Sequence, residues 1–192
     1  KKYKEAVAVA VETCADEGAL SVQEALLSTM KRLGAPKGNI LVTEANLAVT
    51  NEQLGRYEEA LQMKRDVYSG TSELYGEEDR RSLSAARNYA AGLVALDRYA
   101  EAKSWLRKLI PMASRVMGNS NATTLVMKKM YAMALYKGPS ATFDDLRESV
   151  ATLEDTERIA RRVLGGAHPI VVGIEQSLRN ARAALRAREA SV

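Results

Sequence analysis

Apolar residues recur along this chain at helical spacing. Leu41, Leu47 and Leu54, for example, mark one face of a segment that begins near Ile40. Strand-forming residues do not alternate with polar residues over any useful length, and Ala, Leu, Glu, Lys and Arg dominate, which favours helix. The pattern therefore predicts an all-α protein with about nine helices.

Glycine and capping residues divide this pattern into helix pairs. The predicted pairs occupy about 3–33, 40–75, 80–117 and 122–164, and a further helix occupies about 169–188. Gly18 is expected to end the first helix, at about residue 17, and Ser21 to cap the next, which Gly34 closes. Asp79 and Asn121 are expected to cap the helices that follow them.

A second periodicity, of 42 residues, relates these pairs. The segment Gly55–Ala60 recurs as Asp97–Ala102, and the candidate caps at 79 and 121 keep the same spacing. A fixed period of this size is typical of repeat solenoids. Ala60 and Ala102 are small enough for paired helices to approach closely, and Tyr57 is expected to act as an aromatic wedge between them.

Three positions depart from the regular repeat. Pro111 is expected to kink or break the second helix of the third pair, with a matching bend at Gly70. The fourth pair has a longer turn at 138–141. Arg179 stands where earlier repeats have alanine. It therefore predicts a C-terminal capping helix with no second helix packed closely on that face.

Short phrases in the chain resemble a known family. They are Asn46-Leu47-Ala48, Tyr75-Gly76, and Leu-Gly-Gly-Ala-His-Pro at 164–169. Together with Gly-x-Tyr-x-x-Ala, they resemble tetratricopeptide repeats of the kinesin-light-chain-like type. The resemblance implies a right-handed superhelical solenoid of antiparallel helix pairs, forming a single domain over 1–192.

Composition narrows the function classes. Of 192 residues, 46% are hydrophobic and 27% charged, which is typical of a globular protein. The net charge of +4 mildly favours acidic partners. The longest apolar run, 6–11, is too short to span a membrane. Cys14 is the single cysteine, which fits an intracellular, cytoplasmic location, although an organelle after transit-peptide removal is an alternative.

The resemblance also implies a binding site. In this family the first helix of each pair lines a concave groove that takes an extended peptide or a partner helix. The corresponding residues here are Val42, Asn46, Val49, Ser84, Arg87, Asn88, Lys129, Met130, Met133 and Gln176. Asparagine can both donate to and accept from a peptide backbone, and Arg87 and Lys129 could meet a carboxylate or an acidic motif.

Each of these groups has a structural alternative. Asn46 and Asn88 could instead hydrogen-bond between neighbouring first helices and bind nothing. Met127, Met130 and Met133 are three residues apart on one helix stripe. Methionine suits adaptable contacts with partners, but filling of the core is the favoured role for these side chains.

The sequence offers little for catalysis. His168 precedes Pro169 and is expected to start a helix, and it has no companion His or Cys cluster for a metal. Cys14 is expected to be a small buried hydrophobe. Asp144, Asp145 and Glu148 follow an exposed turn, where negative charge stabilises a helix start. We therefore expect no enzyme, no cofactor and no small-molecule substrate.

Two functions remain, with a third less favoured. The first is a scaffold or adaptor that binds a protein or peptide partner, with acidic character, in the concave groove. The alternative is a structural subunit that uses its convex face and Arg-rich C-terminal helix (Arg179, Arg182, Arg186 and Arg188). Nucleic-acid binding is disfavoured because aromatic residues are only 5% of the chain. The oligomeric state stays open.

Overall fold

The computed structural model describes residues 17–190, whose regular structure is entirely helical. It contains α1 (Glu17–Arg32), α2 (Lys37–Gln53), α3 (Tyr57–Tyr75), α4 (Arg80–Ala95), α5 (Tyr99–Met117), α6 (Ala122–Lys137), α7 (Phe143–Leu164) and α8 (Pro169–Glu189). The all-α prediction is confirmed, and the remaining predicted helix, 3–17, lies outside the described residues apart from its last residue.

The chain divides into two compact units, residues 1–92 and 93–192, with the boundary inside α4. Within the first unit α1 packs on α2 and α2 on α3. Within the second, α5, α6, α7 and α8 pack in succession, and α6 also contacts α8. A single continuous solenoid over 1–192 stays a prediction.

The predicted break at Gly18 is wrong. Helix α1 runs without interruption through Gly18 and Ser21, so neither residue marks a helix end. Glycine inside a helix costs only about 1 kcal/mol relative to alanine. The neighbouring Ala19 and Leu20 are buried, so packing holds the segment helical. The predicted stop at Gly34 is confirmed, with a positive φ of 65°.

The repeated turn motif has the same backbone in both copies. Gly55 and Asp97 each have a positive φ, 79° and 55°. In each copy the next residue donates its N–H to a carbonyl five residues back, at 2.9 Å from Arg56 and at 2.9 Å from Arg98. These are the hydrogen bonds of a Schellman-type helix end. Asp97 adopts the left-handed region because aspartate tolerates it better than most side chains.

The predicted caps are also confirmed. The side chains of Asp79, Asn121 and His168 each accept the backbone N–H two residues ahead, at 2.8, 2.9 and 3.1 Å. Thr142 adds a cap of a different kind, because it forms a reciprocal capping box with Asp145. The three i,i+2 caps confirm the repeat frame and the structural role of His168.

Three expectations about the second helices have different outcomes. Helix α5 continues through Pro111 and does not break there, whereas a kink at that level stays a prediction. Gly70 has a packing role, since a Cβ at this position would lie 2.6 Å from the Leu41 Cδ2 atom. Tyr57 is not a buried wedge, because it is 46% exposed, whereas Tyr99 is 8% exposed.

The different burial of the two tyrosines has a chemical basis. The Tyr99 hydroxyl donates to the Asp97 carboxylate. Burial, followed by this hydrogen bond, raises the pKa of Tyr99 to about 12. Glycine at position 55 offers the corresponding Tyr57 hydroxyl no such acceptor, so nothing at this turn holds its ring inward.

Helix α8, the last predicted helix, exposes arginine side chains where an earlier first helix is buried. Arg179 and Arg182 are exposed, whereas Ala132 and Leu135, 47 residues earlier in α6, are buried. Arg179 bonds to Gln176 on its own helix at 2.6 Å. Within residues 17–190 no second helix covers this face, and the capping role of α8 stays a prediction.

Candidate binding site on the first helices

Three of the predicted groove positions, Val42, Ser84 and Asn88, meet around one pocket in the first unit. Val42 and Ala45 on α2 face Ser84 and Asn88 on α4 across a pocket of about 220 Å³. Its base is apolar, with Leu41, Val67 and Ala85 among the lining residues. The sequence therefore brings small and aliphatic side chains of two successive first helices to the same opening.

Gly38 shapes one edge of this pocket. A Cβ on Gly38 would lie 2.2 Å from the Tyr75 hydroxyl, so glycine at this position lets the tyrosine ring reach the start of α2. Arg81 stacks over that ring, with its guanidinium carbon 3.3 Å from the ring centre. The sequence analysis missed Tyr75 and Arg81. Their contact joins the ends of different helices, and no local spacing reveals it.

The charge of Arg81 is already balanced. Its guanidinium contacts the Asp79 carboxylate at 2.8 Å. The hydrogen bond from Arg81 lowers the pKa of Asp79 to about 2. Arg81 thus forms a fixed edge of the pocket, with its positive charge neutralised.

Arg87 is a half-buried cation of the first unit, and burial lowers the pKa of its guanidinium. Its Nη2 donates to the Asn88 Oδ1 atom at 2.7 Å. No carboxylate within residues 17–190 forms an ion pair with it. The alternative role for Asn46 and Asn88 is not seen either, since neither side chain bonds to the neighbouring first helix in this part of the chain.

Lys129 is its counterpart in the second unit. Burial lowers the pKa of this ammonium as well. Its Nζ atom lies 3.5 Å from the position of a Cβ built on Gly173 of α8, so the glycine leaves space beside the charge. Among the described residues no carboxylate pairs with it.

Arg87 and Lys129 are 42 residues apart and so occupy the same position of the repeat. Burying a cation without a counterion is unfavourable, because the charge loses its interaction with water. A bound anion would restore the lost interaction of each charge. The repeat thus places one unneutralised, half-buried cation on a first helix of each unit.

The other predicted site residues differ in accessibility. Val42 and Val49 are 58% and 43% exposed. Gln176 is exposed and bonds to Asn180 at 3.1 Å. Ser84 and Asn46 are half-buried.

Met130 corrects the sequence analysis, because it is buried, at 5% exposure, and offers little surface to a partner. It lies only about 60° around the helix from the fully buried Met127, since each residue advances by about 100°. Met127 therefore packs in the core as predicted, and Met130 shares much of that buried face. Met133, a further turn along, is half-buried.

Two further features of residues 17–190 concern other kinds of site. No group of three or more His, Cys, Asp or Glu side chains in this range could hold a metal ion. In the same range, none of the helices is both long and apolar enough to cross a membrane.

The comparisons with known proteins agree with this architecture. Residues 39–115 match the family model for the tetratricopeptide repeat. None of the curated proteins compared with the chain matches it significantly. The matched segment covers the two helix pairs that carry the repeated turn motif.

Solved structures extend the likeness to nearly the whole chain. One of them is a single-residue variant of a Podosopora anserina putative kinesin light chain with nearly identical TPR-like repeats. It superposes on this chain with a TM-score of 0.76 at 17% sequence identity, and the match covers 97% of this chain and 86% of that one. The same Podosopora anserina protein without the substitution gives 0.74 at the same identity and coverage. BtubC (BKLC) from P. vanneervenii gives 0.59 at 14% identity, covering 90% of this chain and 74% of that one.

Residues 39–115 therefore consist of tetratricopeptide repeats. Over nearly the whole chain, the helix pairs have the same fold as the TPR-like repeats of the putative kinesin light chain.

Proposed function

We propose that this chain is a non-catalytic interaction scaffold that binds an acidic peptide or helix of a partner protein along its first helices. One observation carries the proposal. Arg87 and Lys129 occupy the same repeat position, both are half-buried, and neither pairs with a carboxylate among residues 17–190. Carboxylates of a partner would neutralise both charges.

The pocket of the first unit supplies an apolar patch beside Arg87. Its aliphatic base suits one apolar side chain of the partner, and Asn88 at its edge is hydrogen-bonded to Arg87. An apolar residue that enters the pocket would therefore bring its neighbours in the peptide close to a cation. The proposed partner segment combines an aliphatic side chain with nearby Asp or Glu.

The test is a selection from a random peptide library at two salt concentrations. Wild type is compared with Arg87→Gln/Lys129→Gln and with the control Arg65→Gln/Lys108→Gln. Both double variants lose two positive charges, but Arg65 and Lys108 are exposed on the second helices α3 and α5. Wild type and control should enrich Asp and Glu beside an aliphatic residue, and the Arg87/Lys129 variant should lose that enrichment.

Equal enrichment in all three proteins would show that net charge, and not this surface, attracts the peptides. The proposal would then fail. A steep loss of all binding with salt, in wild type and control alike, would also indicate that net charge alone attracts the peptides.

A structural subunit is the second candidate, using the surface of the second helices and the Arg-rich α8. An open cavity between α5 and α7 favours it, since it offers that surface a place for a partner. However, Arg182 already pairs with Glu154 at 2.7 Å. Loss of assembly in Arg182→Glu, with peptide selection unchanged, would favour this candidate.

A further inference from the structure

A second cavity lies in the second unit, on a different side of α6 from Lys129. It has a volume of about 520 Å³, and its walls come from α5, α6 and α7. Sites for small ligands usually measure about 300–1,000 Å³. The cavity is therefore large enough for a small molecule or for the end of a peptide.

The floor of this cavity is apolar. Ile110 and Pro111 on α5 face Ala151 on α7. Proline has no N–H, so it cannot donate to the Arg107 carbonyl one turn earlier, as a helical residue would. Pro111 and Ala151 are also short, which keeps the space between α5 and α7 open.

The two carboxylates at the rim already have strong donors. Glu148 accepts the Tyr131 hydroxyl at 2.6 Å, and Asp155 accepts the Arg158 guanidinium at 2.6 Å. Additional cations would gain little from carboxylates that are hydrogen-bonded in this way.

The two cations that line the cavity, Arg107 and Lys128, lie farther from any carboxylate. Arg107 donates to the Tyr131 oxygen at 3.0 and 3.2 Å, and its nearest carboxylate oxygen, on Glu148, is 3.8 Å away. The Lys128 ammonium is 3.9 Å from Asp155, beyond hydrogen-bond distance, and its side chain is only 15% exposed. Among the described residues Lys128 has no closer carboxylate.

We propose that this cavity is a second binding site, which takes an apolar group that carries a single carboxylate. The carboxylate meets the Lys128 ammonium, and the apolar body lies on Ile110, Pro111 and Ala151. Glu148 and Asp155 mark the two ends of the cavity along α7. They are seven residues apart, so at the helical rise per residue the cavity is about 10 Å long. Either a free aliphatic acid or the C-terminal carboxylate of a peptide has this chemistry.

The experiment titrates the whole protein with two matched pairs of probes. Octanoate is compared with octanamide, and acetyl-Gly-Gly-Leu with its C-terminal amide, by calorimetry and by NMR shifts of α5–α7. At least one carboxylate should bind more tightly than its amide, and which one binds identifies the source. Lys128→Gln should weaken that binding at least about tenfold, since a charge-assisted hydrogen bond contributes about 1.5–3 kcal/mol.

Lys108→Gln is the matched control. It removes the same charge from an exposed residue of α5 that does not line the cavity. Binding of the carboxylate should be unchanged in this variant. Ala151→Phe should also abolish binding, because it fills the cavity from an exposed position without disturbing the core.

Three results would overturn the proposal. They are no binding of either carboxylate, equal binding of carboxylate and amide, and equal loss of binding in Lys128→Gln and Lys108→Gln.

Discussion

The two units contain the same kind of helix junction, but the cavity at one is much smaller than the cavity at the other. In the first unit the junction of α1, α2 and α3 encloses about 140 Å³, and in the second the junction of α5, α6 and α7 encloses about 520 Å³. Asp66 in the first corresponds to Thr152 in the second, with the same displacement of 86 residues that relates Tyr57 to Phe143.

Ion pairing accounts for part of this difference. Lys31 and Glu44 pair at 2.8 Å beside the smaller opening. At the larger one Lys128, which stands 84 residues after Glu44, is 3.9 Å from Asp155. The side chains that line each junction therefore help to decide whether its charged groups pair with each other or remain available to a ligand.

The interiors of the helix pairs also differ in whether they contain an ion pair. Changing this ion pair should have the largest effect on the free energy of unfolding. Lys64 is 6% exposed and pairs with Glu52 at 2.7 Å, whereas Leu106 and Val94 occupy the corresponding positions of the next repeat. Glu52→Val should lower the free energy of unfolding by about 3 kcal/mol, because it leaves a buried cation unpaired. Glu52 is partly exposed, so the value lies at the low end for buried pairs.

The double variant Glu52→Val/Lys64→Leu copies the apolar pair of the second unit. Its free energy of unfolding should be within about 1 kcal/mol of wild type, since apolar replacements of buried ion pairs are often neutral. Urea denaturation measures both variants. A double variant as unstable as the single one would mean that the ion pair is needed for packing at this position.

Overpacking distinguishes the closed core from the open cavity. Ala60 and Ala102 are 1% and 0% exposed, whereas Ala151 is exposed at the cavity wall. Ala60→Leu and Ala102→Leu should each cost about 1–3 kcal/mol in urea denaturation. Ala151→Leu should change stability by less than about 0.5 kcal/mol. Unchanged stability in the first two variants would show that the repeat frame is wrong.

Tyr57 and Tyr99, the tyrosines of the repeated turn, should give the smallest and most specific effect on stability. The pKa of Tyr99 is raised to about 12, so folded protein keeps this proton at a pH where the unfolded chain has lost it. The stability that this contributes is present below about pH 10 and is lost as the pH rises from about 10 towards 12. Tyr99→Phe should remove this loss in urea titrations between about pH 9 and 11.5.

Tyr57→Phe is the control, because its ring is 46% exposed and its turn has no acidic acceptor. Its alkaline profile should match that of wild type. An identical profile for Tyr99→Phe and wild type would contradict the role of the Tyr99–Asp97 hydrogen bond.

Features fixed by a few neighbouring residues could be predicted from the sequence. The caps at Asp79, Asn121 and His168 depend on a side chain and an N–H two residues away, and the turns at Gly55 and Asp97 depend on one left-handed residue. The same backbone geometry forms wherever the same local residues recur. The 42-residue period of the sequence therefore predicts where these caps and turns lie.

Features that join distant helices could not be predicted in this way. The pocket of the first unit depends on Tyr75 reaching Gly38, and the sequence gives no spacing for that contact. Lys128 and Lys129 are adjacent, yet they serve different surfaces because one residue turns a helix by about 100°. Met130 was misjudged for a similar reason, since a small rotation separates a buried position from an accessible one.

The pKa of the Lys129 ammonium is the most direct test of the proposed peptide-binding surface. It can be followed by side-chain NMR in the free protein and in the protein saturated with the strongest peptide from the library selection. In the free protein burial should hold this pKa below its usual value, and a bound carboxylate should raise it again. A pKa that stays the same while the peptide is bound would contradict the account, because the peptide would then lie elsewhere.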